Sequence, residues 1–149
     1  MKFLLVLASF IVLSNATSKE FRDGLMEKLH EFGTKCIEEI HPSDDDIAEL
    51  LSHKIPPTSH EGKCMVFCVH KSFNMMTEDG NPNTEGTLEL LAPLKETDPD
   101  IYEKSVKVLE TCNASLEKDD DPCITATNWA VCGIKEAKTM GLPDDLFEM

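Results

Sequence analysis

A chain of 149 residues holds one ordinary domain. Its 28 acidic and 14 basic side chains give a formal charge of -14, which excludes a phosphate-gripping nucleic-acid protein and one docked on anionic lipid. With 41% hydrophobic and 28% charged residues, the chain buries a core rather than forming an acidic disordered tail.

Residues 1–16 read as a secretory signal. Lys2 supplies the positive start, and residues 3–13 are apolar but short of the roughly 20 residues a membrane-spanning helix needs. Ser14-Asn15-Ala16 places small residues where a signal peptidase reads, so cleavage is expected after Ala16. The mature domain, residues 17–149, is then secreted and extracellular, and its cysteines meet an oxidising compartment.

Beyond the signal the apolar periodicity is helical. Phe21, Leu25, Leu29 and Phe32 recur at three- and four-residue steps, with Ile37 and Ile40 beyond them. Ser43 and the three aspartates after it form the cap and first turn of a second helix carrying Ile47, Leu50 and Leu51. Pro56-Pro57 ends it. A third helix is expected over 59–74, followed by the loop Asp79-Gly80-Asn81-Pro82-Asn83. A short helix covers 84–91, limited by Pro93. Asp98-Pro99 and Asp121-Pro122 each join a cap to a proline at the first helical position. They open a helix with Ile101, Val106 and Leu109, and a last one that reaches about Thr139 before Gly141 and Pro143. No run alternates with period two, so the fold class is all-α with about six helices.

The cysteines are Cys36, Cys64, Cys68, Cys112, Cys123 and Cys132, separated by 27, 3, 43, 10 and 8 residues. Six cysteines admit fifteen pairings. Cys64 and Cys68, four apart on one helix, share a face with near-parallel Cβ directions. Cys123 and Cys132 lie about 13 Å apart along another helix. Neither pair is expected to bond internally, which leaves several pairings open. Cys64-x3-Cys68-x-His70 has the look of a zinc half-site but lacks a second Cys/His cluster, so disulfides are the expectation.

These intervals resemble the six-cysteine signature of insect odorant-binding proteins, the pheromone-binding and general odorant-binding family. Three residues between the second and third cysteines and eight between the fifth and sixth are that signature's most specific elements. The 43-residue interval lies at the long edge of the family's usual range, its excess placed in the loop 79–86. The resemblance implies the pairing Cys36–Cys68, Cys64–Cys123 and Cys112–Cys132, and an internal apolar cavity. It also implies a carrier that solubilises small hydrophobic ligands, such as odorants or pheromones, and delivers them to chemosensory receptors.

Catalysis has no visible carrier. His30, His41, His53, His60 and His70 form no His-Glu-x-x-His pattern, and neither Gly-x-Ser-x-Gly nor a Gly-rich phosphate loop occurs. Asp79, Asn81, Asn83 and Glu85 imitate the first ligands of a calcium loop. Thr84 stands where its glycine belongs and Leu90 where its bidentate glutamate belongs. No enzyme activity, metal or cofactor is expected. Asn113-Ala114-Ser115 is an N-glycosylation sequon whose position beside Cys112 disfavours modification.

Candidate pocket-lining residues are Leu25, Leu29, Met65, Phe73, Leu88, Leu91, Val106, Leu109, Trp129, Ala130, Ile134 and Phe147. The end of the chain, 141–149, sets Leu142, Leu146, Phe147 and Met149 among Asp144, Asp145 and Glu148, and a short lid is one role for it. The expected state is a monomer or weak homodimer. Two other readings share these features: a carrier of lipids or hormones in another secreted fluid, and a helical protein with a filled core that acts by protein–protein contact.

Overall fold

The computed structural model describes the backbone of residues 2–143 and the side chains of residues 19–143. Among those residues there are seven helices: α1 (Lys2–Ile40), α2 (Asp44–Leu51), α3 (His60–Ser72), α4 (Thr84–Leu91), α5 (Leu94–Thr97), α6 (Pro99–Ser115) and α7 (Pro122–Thr139). The fold is all-α. It exceeds the expected six helices by α5, a single turn directly after Pro93 whose Leu94 is 1% exposed. Pro93 had marked the end of a helix, but burial of Leu94 holds one more turn there. A second difference is at the N-terminus, where α1 runs without interruption through the expected cleavage point at Ala16.

Side-chain caps set the helix starts. Ser43 Oγ accepts from Asp46 N while the Asp46 carboxylate accepts from Ser43 N, a complete capping box. Ser59, Asn83, Asp98 and Asp121 cap α3, α4, α6 and α7. Each such cap contributes typically about 1 kcal/mol. Three helices end alike, in a Schellman arrangement with a left-handed residue after the cap: His53 (φ 59°) for α2, Asn74 (φ 58°) for α3 and Gly141 (φ 68°) for α7. In α7 this places Leu142 N on Ala137 O and Gly141 N on Lys138 O. The buried Leu142 then seals the core. Because His53 closes α2, that helix stops at Leu51, short of Pro56-Pro57.

Three disulfides fasten the helices: Cys36–Cys68 joins α1 to α3, Cys64–Cys123 joins α3 to α7, and Cys112–Cys132 joins α6 to α7. The resemblance implies this same pairing. With sequence separations of 32, 59 and 20, chain entropy assigns each closed loop about 3–4 kcal/mol. The main core gathers Met76, Val108, Leu109, Cys112, Ala126, Trp129, Ala137 and Leu142 from α6, α7 and the segments beside them. A smaller cluster surrounds Cys36, Met65 and Cys68. Phe32 of α1 meets Phe73 edge-on at 4.8 Å, adding an aromatic contact near the first disulfide.

The loop between α3 and α4 is folded back on itself, with Thr77 N on Asn81 O and Asn83 N on Met75 O. Gly80 has φ +73°, and a Cβ there would stand 2.6 Å from Pro122 Cβ, so glycine alone fits this approach to α7. Two of the side chains that imitate calcium ligands, Asn81 and Asn83, hold the fold together. Asn81 Oδ1 accepts from Lys118 Nζ at 2.6 Å, and Asn83 Oδ1 caps α4. No helix among the described residues is long and apolar enough to cross a membrane.

Candidate ligand site

Phe21, Gly24, Leu25 and Lys28 recur on one face of α1. Across from them stand Leu90 of α4 and Pro93 and Thr97 at the two ends of α5. Between these walls lies a cleft of 390 Å³, open to solvent, with Glu20 and Glu89 also on its lining. Its size is at the small end of ligand sites, and its walls are mainly apolar. Phe21, Leu25, Leu90 and Pro93 supply the apolar surface, while exposed Glu20, Lys28 and Glu89 set two carboxylates and one ammonium along the rim. Gly24 opens the cleft further: a Cβ at that position has nothing within 4 Å.

Of the residues anticipated as pocket lining, Leu25 lines this cleft. Leu29 lies one turn along α1 and Leu91 beside Leu90, both partly buried. Leu109 and Trp129 are core residues at 4% and 6% exposure, and Leu88 packs against them. Met65 belongs to the cluster around Cys36 and Cys68, and Phe73 is buried against Phe32. Val106, Ala130 and Ile134 are partly buried on α6 and α7. Phe147, with the rest of 144–149, lies outside the described residues. The lining residues not anticipated are Glu20, Phe21, Gly24, Lys28, Glu89, Leu90, Pro93 and Thr97. Phe21 and Leu25 were visible as one apolar face, but nothing in the sequence tied that face to α4 and α5.

Several polar side chains between the helices are hydrogen-bonded. The Trp129 Nε1–H donates to Asn113 Oδ1 at 2.9 Å, and Asn113 Nδ2 donates to Thr84 Oγ1 at 3.0 Å. His70 meets the Trp129 ring edge-on at 5.5 Å, and its Nδ1 bonds Val66 O at 2.7 Å. Burial pushes the His70 pKa down, and the bond to Val66 opposes it. Among the described residues, no buried side-chain nitrogen or oxygen lacks a partner. All six cysteines are in disulfides, which leaves no thiol nucleophile.

Residues 18–136 match the PBP/GOBP family. The chain belongs to that family. Among PBP/GOBP relatives, general odorant-binding protein 19d of Drosophila melanogaster is 28% identical over 139 residues, covering 93% of this chain and 91% of the relative. General odorant-binding protein 28a of the same organism is also 28% identical over 139 residues, covering 93% and 96%. The solved structure of odorant-binding protein dmelOBP28a from Drosophila melanogaster matches this fold with a TM-score of 0.69 at 27% identity, over 82% of this chain and 99% of that one. The family thus accounts for the helical shell and its three bridges.

Proposed function

We propose that this PBP/GOBP protein is a secreted carrier that solubilises a small hydrophobic ligand and hands it to a chemosensory receptor. The observation that carries the reading is the apolar cleft between α1 and the α4–α5 corner. Membership of a family whose relatives are named odorant-binding proteins supports it. The family match begins at residue 18, which fits removal of residues 1–16 on secretion.

The mechanism is reversible burial, with no bond made or broken. Each 100 Å² of apolar ligand surface removed from water contributes about 2.5 kcal/mol. Micromolar retention needs about 8 kcal/mol net of the lost freedom of the ligand. The ligand must therefore bury well over 300 Å² by that ratio.

Displacement of a fluorescent apolar probe from the oxidised protein 17–149 tests it, at about pH 7 and again at about pH 5. The expected result is saturable binding of one probe per chain, competed by volatile alcohols, esters or aldehydes. Gly24→Trp, which fills the cleft from a position with free space, is expected to abolish that binding while the helical circular dichroism is unchanged. Absence of binding in the folded, fully oxidised protein overturns the proposal.

A further inference from the structure

Lys28 is the cation of the cleft lining, and its own helix does not engage it. Gly24 and Phe32 stand four residues before and after it, so it lacks the spacing that pairs Lys19 with Asp23 and Lys35 with Glu31. Glu31, three residues on, is taken by Lys35 at 2.6 Å, and Lys28 is the least of the influences that lower the Glu31 pKa. Among the described residues, no hydrogen bond or ion pair holds the Lys28 ammonium. The Thr97 hydroxyl on the opposite wall already donates to Pro93 O at 3.0 Å. Lys28 is thus the side-chain donor that the lining leaves for a ligand.

Glu20, Gly24 and Lys28 follow one row of α1 at four-residue steps, beside the apolar row of Phe21 and Leu25. A Cβ at Gly24 meets nothing within 4 Å, so the way from the Lys28 ammonium onto the apolar row is open. Glu20 lies about 12 Å from Lys28 along the helix axis. That is more than the Debye length of about 8 Å at physiological salt, so Glu20 does not cancel the charge of Lys28 at a head group. Glu89, on α4, is not within ion-pair distance of Lys28.

We propose that this cleft prefers a chain molecule with a single carboxylate head, the head paired with Lys28 and the apolar tail laid over Leu25 and Phe21. The proposal rests on the reading of the cleft as the carrier site and names the ligand class that site takes. From Lys28 to Phe21 the tail runs about 10 Å along α1. A carboxylate about 4 Å from the ammonium gains about fivefold in affinity at the dielectric of water, and more beside apolar walls. An alcohol gains a hydrogen bond without the charge, an amine meets a like charge, and a second carboxylate at the far end meets Glu20.

The test is competition against the neutral fluorescent probe on the oxidised protein 17–149. Decanoate, decanol and decylamine are the competitors, at about pH 7, where the acid and the amine are both ionised. Decanoate is expected to compete at about one-fifth the concentration of decanol, and decylamine to compete least. Lys28→Met keeps an apolar stem and is expected to weaken decanoate about fivefold while decanol holds within about twofold. Lys28→Arg is expected to retain the preference for decanoate. Three results overturn the proposal: decanol competing as well as decanoate, decylamine competing best, or an unchanged ratio of decanoate to decanol affinity in Lys28→Met. In each of these the probe and decanol still bind, and the carrier reading stands. Failure of the probe and of all three competitors to bind the folded parent protein overturns both.

Discussion

The indole nitrogen of Trp129 and the side-chain oxygen of Asn113 are 2.9 Å apart, and the same amide's nitrogen donates to Thr84 Oγ1 at 3.0 Å. One asparagine therefore joins α7, α6 and α4. It is also the acceptor residue of the sequon Asn113-Ala114-Ser115, and its amide nitrogen is the atom to which a glycan would be attached.

Asn113 is accordingly expected to stay unmodified. Protein secreted from a eukaryotic host should have the intact mass of the unglycosylated chain, and Ser115→Ala, which deletes the sequon, should leave that offset at zero. Asn113→Ala strands the Trp129 donor at 6% exposure and should cost about 1–3 kcal/mol in urea unfolding. An added glycan mass on the folded protein would contradict the role of this amide.

Leu109 belongs to the core and not to the cleft. It is 4% exposed inside the main cluster and absent from the cleft lining. Leu109→Ala should cost about 2–5 kcal/mol while probe affinity holds within about twofold, whereas Gly24→Trp should show the opposite pattern. Loss of probe binding in a folded Leu109→Ala protein would move the ligand into the core.

His70 gives stability a dependence on mild acid. Its folded pKa is depressed, chiefly by burial, below the value near 6.5 of a free histidine. The unfolded chain therefore takes up the proton first, and the stability tied to neutral His70 is complete above about pH 6.5. It declines as pH falls from there through the folded pKa. His70→Phe should flatten that part of the stability profile, read from urea midpoints at successive pH values.

Glu49 acts in a lower window. Lys54 pairs with its carboxylate, and Thr58 donates both backbone N and Oγ1 at 2.7 Å, holding the Glu49 pKa at about 2 against 4.5. These bonds tie α2 to the segment leading into α3. Their contribution is present above about pH 4.5 and fades as pH falls toward 2. Acid unfolding of Glu49→Gln should show less loss in that interval than the parent protein, with no change in the window set by His70.

Local chemistry made much of this architecture legible in the sequence. Asp98-Pro99, Asp121-Pro122 and Ser43 mark helix starts because the cap and its first turn are contiguous in the chain, and the structure places α6, α7 and α2 there. Gly141 announced the end of α7 because glycine is the usual left-handed residue. His53 and Asn74 perform that task without announcing it, so the end of α2 was read from Pro56-Pro57 instead. α5 was invisible because four residues carry no period, and the burial of Leu94 that supports them is a tertiary fact. The cleft was half legible: periodicity showed the Phe21 and Leu25 face, but which helices would stand opposite depends on contacts between segments some seventy residues apart.

The manner in which α1 is fastened bears on what the cleft can accept. Its covalent and aromatic pins, Cys36 to Cys68 and Phe32 against Phe73, are in its C-terminal half, while Phe21 and Leu25 stand upstream as a cleft wall. The helix is thus a lever. From Cys36 to Phe21 it extends about 22 Å, so a tilt of about 10° at the pin swings Phe21 by about 4 Å. Such a tilt would change the gap by the girth of a methylene chain. With a ligand carried in this cleft, as proposed, such a clamp would grade ligands by thickness instead of by one fixed shape.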